Sequence, residues 1–380
     1  MFLAFILLII VAFCGAQFAP TGRLHTDYCS KATTTAVNGI FVVMVFFRHL
    51  NTYLQVSAAD PLQKQWVTVN GFLGQLIVVS FLFYSGYGIF CSIEKKGTPY
   101  VRRMFPHHFL RLFVHFDVCV LLFALVNVLL HRPMSGKDLL LALTTYTSIG
   151  NSNWYITAVL LLYICTMAAF LCFRRHPLPA LVLVTVLCIG CVFGQIKLHR
   201  PGYCYNTMVV FPLGMWYRYL QPKIDALLQR SGLVYSLAVC GTLLVFGFSG
   251  KYFKRGVEFY SLWACAFAGL LVLLTMKIKP GNSVLTFLGS HVFSIYILQR
   301  IPMMVLSRLG FAAKPLQFLA LSFACTVVIA LLFDKITGKL DPYLFDWSRK
   351  KTNVLMKNEL KARACASARV LFVYAVNSIL

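Results

Sequence analysis

Asn38 and His49 stand eleven positions apart in the stretch 33–51, TTTAVNGIFVVMVFFRHLN. Eleven residues are about three helical turns, so both side chains leave a helix from nearly one face. Such a helix presents an amide and an imidazole to one cavity at two depths. The imidazole is able to be neutral near pH 7 and so to accept a proton. Arg48 lies beside it. An ionisable residue in a membrane span is costly and marks a functional site by default. A basic pair at a helix end also snorkels to the water interface. Both readings fit this stretch taken alone.

Other chemistry-bearing residues stand out against an apolar background. The run 102–111, RRMFPHHFLR, has Pro106 where a helix begins. His108 and Arg111 are i and i+3, so they share a helix face, with Arg102 and Arg103 on the approach. A basic helix entrance receives phosphate groups. A loop anchor explains Arg102 and Arg103 equally well, and Arg111 less well. Asp117 is the one carboxylate read clearly inside a span, with Arg111 or His115 expected as its partner. That pair is structural or catalytic. Ser85 and Tyr87 lie in FYSGYG at 83–88, where glycine admits a ligand or a neighbouring backbone. Trp154 follows the polar 151–153 at the start of a span, as a cap and aromatic belt would. Tyr296 belongs to 287–300, where polar groups recur through an apolar helix. No Walker loop, metal-ligand cluster or GxSxG is present in the sequence.

The elements that must position these residues follow from composition. Of 380 residues, 59% are hydrophobic and 12% charged, about half the charge of a soluble domain. The expected class is an all-α polytopic membrane protein, because lipid leaves backbone groups no outside partner. Eleven candidate spans are read: 2–18, 35–50, 67–93, 107–131, 154–173, 179–195, 206–220, 233–249, 257–276, 285–305 and 316–334. This gives ten core helices plus one extra at the N-terminus. The 2–18 run lacks a preceding Lys or Arg and is read as a retained span, not a signal.

The net charge of +24 sits in loops. It orients the chain rather than marking a nucleic-acid binder, and no nucleic-acid partner is expected. The loop set with Lys95, Lys96, Arg102 and Arg103 is the richer, together with the tail. That set is expected to be cytoplasmic, with the N-terminus outside and the C-terminus inside the cell membrane. His49 then lies about 21 Å along its helix, toward the outer leaflet. The thirteen cysteines are scattered, and the single CxxC, Cys188–Cys191, reads as apolar filling. The expected organisation is an N-terminal helix and loop (1–30), a membrane domain (31–335) and a basic tail (336–380) on the inner surface.

Taken in order, these motifs resemble the acyltransferase-3 family of integral-membrane O-acyltransferases, the bacterial surface-polysaccharide type, over about 31–333. Asn38-x10-His49 matches the family's Arg-x10-His, with Asn in the Arg position. FYSGYG matches FxxSGY. His108-x-x-Arg111 matches a basic Arg-x-x-Arg pair, with His in the first place. SNWYITAVLLLY resembles the Trp-led helix, and FLGSHVFSIYILQRIP the late LGxxSxxIYLxHxP segment, with Gln299 where His is frequent. The resemblance implies acyl transfer, often acetyl, from a cytoplasmic acyl-CoA to a hydroxyl of a saccharide or glycolipid outside. No bound cofactor is implied, and acyl-CoA is a substrate. His49 would be the general base or take part in a relayed transfer. Asn38, His108, Arg111, Arg102 and Arg103 would receive the donor, with Asn38 orienting the acyl group. Arg48, Ser85, Tyr87, Asp117, Trp154 and Tyr296 would line the cavity. Arg48 or Lys31 would supply the cation absent at Asn38. A catalytically degenerate member and a proton-coupled carrier are the competing readings.

Overall fold

The computed structural model describes residues 1–54 and 61–345. The expected inner-surface tail beyond 345 lies outside the described residues. Helices dominate, as an apolar chain that must satisfy its own backbone requires.

Helix α1 (Phe2–Phe13) is apolar but only 12 residues long, about 18 Å against the roughly 30 Å of a bilayer core. It is shorter than the 2–18 span expected. The chain then turns at Gly15 (φ 74°), and Gln17–Phe18 pairs antiparallel with Ile278–Lys279. Ser30 caps α2 (Lys31–Asn51) by accepting from the Thr33 amide. The expected 67–93 span breaks in two. Helix α3 (Pro61–Leu73) ends at Gly74, whose φ is 48°, and a continuous run Leu76–Lys96 follows, containing α4 (Val79–Lys96). Gly97 (φ 64°) closes α4.

A single 32-residue run, Thr98–Leu129, holds α5 (Thr98–Met104), a π-helical turn (Phe105–Leu110) and α6 (Arg111–Leu129). The short α7 (Gly136–Leu143) opens with a Ser135–Asp138 capping box. Then come α8 (Trp154–Cys172), α9 (Pro177–Lys197), α10 (Val210–Leu228), α11 (Gly232–Tyr252) and α12 (Val257–Lys277). Helices α13 (Ser283–Ser290), α14 (Val292–Leu298) and α15 (Arg300–Arg308) form one path bent by 67° at His291. The 31-residue α16 (Pro315–Phe345) closes the described chain and runs unbroken through residue 335.

Among the described residues eight helices are long and apolar enough to cross a membrane, nine with the bent α13–α15 path. The sequence count of eleven was higher for physical reasons. Helix α1 is short, and α10 carries Arg218, Lys223 and Asp225 within its length.

Two helix crossings are glycine contacts. A Cβ on Gly39 of α2 would lie 2.0 Å from the Leu285 carbonyl oxygen of α13, and one on Gly289 would lie 1.8 Å from that of Thr35. Gly86 of α4 meets Phe211 of α10 at 2.0 Å, and Gly214 meets Phe83 at 2.1 Å. Only small residues allow backbones this close. Gly86 in FYSGYG therefore serves packing rather than a ligand. Two apolar cores result, one around α4, α8, α9, α10 and α12, the other around α2, α6 and α13–α16. Phe41, Leu112 and Tyr155 pack against both.

Candidate active site

Between the two cores lies a cavity of about 580 Å³. Six helices line it: α2, α4, α6, α8, α14 and α16. Asn38 and Thr34 come from α2 and Ser85 from α4, while His108, Arg111 and His115 stand on the π turn and the start of α6. The π turn is the local device. A wide turn, here beginning beside Pro106, breaks the regular helical ladder and recurs at functional sites. His108 shares a hydrogen bond with the Tyr100 hydroxyl (3.2 Å) and sits edge-on to Tyr163.

Helix α16 supplies what sequence reasoning missed. Asp334, Thr337, Gly338 and Asp341 lie at i, i+3, i+4 and i+7, one face of a helix, and all four line the cavity. At 31 residues α16 is about 46 Å long, so its last turns reach beyond a bilayer core. That length is why two carboxylates are tolerated there. The sequence reading ended this span at 334 and gave Asp341 to the tail. The i, i+7 spacing of the two aspartates was the available signal.

The carboxylates rearrange the expected pairing. His115 Nε2 donates to Asp341 Oδ1 at 2.7 Å, and Arg111 Nη1 lies 3.9 Å from Asp341 Oδ2. Neither partners Asp117. Asp117 Oδ1 is buried without a hydrogen-bond partner among the described residues, and Asp117 does not line this cavity. The reason is angular. On α6 Asp117 stands two positions beyond His115, about 200° around the helix. A second pair sits above the first, where His291 Nδ1 bonds Asp334 Oδ2 and Ser294 Oγ donates to Asp334 Oδ1 (2.6 Å).

At its deep end the cavity meets a group of aromatic rings. Phe81 and Tyr155 lie edge-on at 6.2 Å, Tyr155 and Tyr296 at 5.5 Å, and all three line the cavity. His49 does not line it. Its imidazole lies 6.3 Å, centre to centre, from the ring of Tyr296. Asn38 and His49 are about 16 Å apart along α2, with the amide in the cavity and the imidazole beyond Tyr296. The Asn38 Oδ1 and His49 Nδ1 atoms are both buried and without hydrogen-bond partners among the described residues.

The remaining expected residues fall elsewhere. Arg48 donates from Nη1 to the Asn70 carbonyl oxygen (2.9 Å) and tethers α2 to α3, one residue or about 100° away from the side His49 faces. Tyr87 donates to Gln221 Oε1 (2.9 Å) on α10. That bond belongs to a network in which Tyr28 donates to Asp225 (2.6 Å) and Arg218 pairs with Glu94 (2.7 Å). Trp154 stacks edge-on with Tyr155 and Tyr203 outside the cavity wall. Asn153 leaves the end of α8 uncapped and donates instead to the Thr145 carbonyl (2.8 Å). Arg102 is exposed, and Arg103 donates to His107 Nε2 (3.3 Å), so neither lines the cavity. Cys165 and Cys191 approach at 3.7 Å between α8 and α9, away from the site.

Comparison with known families gives one match. A family model described as an acyltransferase domain covers residues 36–335. The chain belongs to the acyltransferase-3 family. The match runs from α2 into α16, so every helix that lines the cavity lies at least partly within it. It supports a membrane acyltransferase, and the residues that line the polar cavity lie mostly within the matched region. A search of curated proteins and a search of solved structures each return no match.

Proposed function

We propose that this acyltransferase moves an acyl group, acetyl in the simplest case, from acyl-CoA to a saccharide hydroxyl on the opposite side of the membrane. The observation that carries the reading is the two-sided arrangement along α2. Asn38, His108 and Arg111 share the cavity on one side of Tyr155 and Tyr296, and His49 lies on the other. The richer loop charge on the cavity side supports a cytoplasmic placement, where acyl-CoA is found.

In this reading His108 and Arg111 receive the anionic donor at the cavity entrance. Asp341 holds His115 and Arg111 in place. The acyl thioester reaches past Asn38, whose amide steadies the acyl carbonyl in the role of the family's Arg. His49 accepts the proton of the acceptor hydroxyl, and the hydroxyl oxygen attacks the thioester carbonyl. The carbon–sulfur bond breaks, and the departing thiolate takes up the proton from His49. Because Tyr155 and Tyr296 stand between, their contact must open to let the acyl group through.

The test uses membranes carrying the protein, acetyl-CoA labelled in the acetyl group and a mixed saccharide acceptor. Label should appear as an ester on the saccharide, and His49→Ala should abolish it while the protein still accumulates. Movement of unaltered solute without any consumption of acetyl-CoA would establish a carrier instead. Full transfer by His49→Ala would remove His49 from the chemistry.

A further inference from the structure

The region around His49 holds buried polar atoms that the fold leaves without partners. Gln299 is fully buried and its Oε1 accepts nothing among the described residues, although its Nε2 donates to the Tyr296 carbonyl oxygen (2.9 Å). Asn151 is 1% exposed with Nδ2 unpaired, while its Oδ1 accepts from the Ile149 amide. His49 Nδ1 is also unpaired. These groups are connected through one residue, Tyr296. Tyr296 lies against His49, is bonded at its carbonyl by Gln299, and has Ser152, next to Asn151, beside its hydroxyl. Native interiors leave few such atoms unsatisfied, and a group of them calls for a ligand or ordered water. The set includes both acceptors and a donor, which matches hydroxyl groups better than a purely donating or accepting ligand.

A cation stands with them. Arg300 begins α15 directly after the buried Gln299 and is itself partly buried. A partly buried cation beside unpaired polar groups in a membrane domain marks a ligand or pathway by default. Its Nε donates to the Tyr53 hydroxyl (3.1 Å) and its guanidinium lies 5.7 Å from the centre of that ring. The charge is close enough to act on His49. Among the described residues no carboxylate pairs with it, whereas Arg111, Arg218 and Lys279 each have one.

We infer that His49, Asn151, Gln299 and Arg300 form the acceptor subsite, and that it selects a saccharide bearing an acidic group, carboxylate or phosphate, held by Arg300. The inference rests on the acyl-transfer reading only for the word acceptor; the acidic-saccharide site stands or falls on binding. Arg300 fits an acid through its planar fork, and the buried amides fit the ring hydroxyls.

The experiment measures binding of glucuronate, glucose 6-phosphate and glucose to the purified full chain in lipid nanodiscs, by ligand-observed NMR, alongside transfer of labelled acetyl from acetyl-CoA to each. At least one acidic sugar should bind about tenfold or more tightly than glucose, and the better of the two identifies carboxylate or phosphate. Arg300→Gln should bring the acid-to-neutral ratio to about one, and Arg300→Lys should keep part of it. Should Arg300→Gln not fold, the wild-type ratio should still fall as salt rises from about 0.05 to about 0.5 M. Equal binding of all three sugars, or a ratio untouched by both Arg300→Gln and salt, overturns the inference. Acid-selective binding without acetyl transfer keeps the site and removes the acyl-CoA reading. Transfer without acid selectivity does the reverse.

Discussion

The two ends of α2 serve opposite electrostatic regimes. Near its start, the ionisable groups at the cavity are matched: Asp341 takes His115 and Arg111, and Asp334 takes His291 and Ser294. Near its end, His49, Asn151 and Gln299 keep unpaired atoms, and Arg300 has no carboxylate among the described residues. A matched cluster holds its geometry before any ligand arrives. An unmatched cluster keeps its hydrogen-bonding capacity for one. Polarity in this membrane domain is therefore of two kinds, paired within the fold and left unpaired by it. Asn38 is the exception on the matched side, because it lines the cavity and its buried Oδ1 is unpaired among the described residues. That fits a contact with the substrate rather than with the fold.

The largest effect should come from parting the helices at their glycine crossings. Gly39→Val places a side chain where the Leu285 carbonyl already is, and Gly289→Val does the same against Thr35. Each should cost about 3 kcal/mol or more. Folded protein recovered by size-exclusion chromatography should be largely lost, and a wild-type yield would show that the crossing is looser than described.

A kinetic contrast sharpens the comparison next. His49→Ala should lower kcat by about 10²–10⁴, the range of general-base catalysis, with little change in the donor KM. Asp341→Asn should do the opposite, raising the donor KM about tenfold by the ~1.5 kcal/mol of one charge-assisted hydrogen bond, with kcat nearly kept. The same profile from both variants would mean that the paired and unpaired groups do not serve separate roles.

The smallest effect belongs to a pair that serves neither end of the cavity. Lys279 bonds both carboxylate oxygens of Asp27 (2.8 and 2.7 Å) and holds that carboxyl below its ordinary value of 3.8. A depressed carboxylate stabilises the fold at pH above the unfolded value, and the contribution fades as pH falls through the folded one. The Asp27 side chain is 55% exposed, so the worth is about 0.5 kcal/mol or less. Thermal melts of Asp27→Asn should fall slightly below wild type at pH 7 and converge with it as pH falls through the lowered carboxyl value. A gap of several degrees at pH 7 would give this surface clasp a larger part in the fold.

Much of the site was legible in the primary structure. The all-α class follows from apolar run length and the family from motif order, which are local properties; that resemblance also implied a shared cavity for Asn38, Ser85, His108, Arg111 and Tyr296, and all five line one. Helical periodicity also carried the pairing of His108 with Arg111 on one wall. It did not carry Arg48, Tyr87 and Asp117, because a side chain's neighbours depend on which helix packs against its face. Arg48 went to α3, Tyr87 to α10, and Asp117 to neither expected base.

Local sequence therefore sets the helices and the polar groups they carry. Hydrophobic length and spacing along one chain suffice for that. Only the tertiary structure decided that α16 brings Asp334 and Asp341 to His291, His115 and Arg111, some 40 to more than 200 positions away in the chain. It also decided that Tyr296, which lines the cavity with Asn38 and Tyr155, lies against His49. Contacts between distant segments are settled by packing, and here by glycine crossings that bring backbones together where any larger residue would hold them apart.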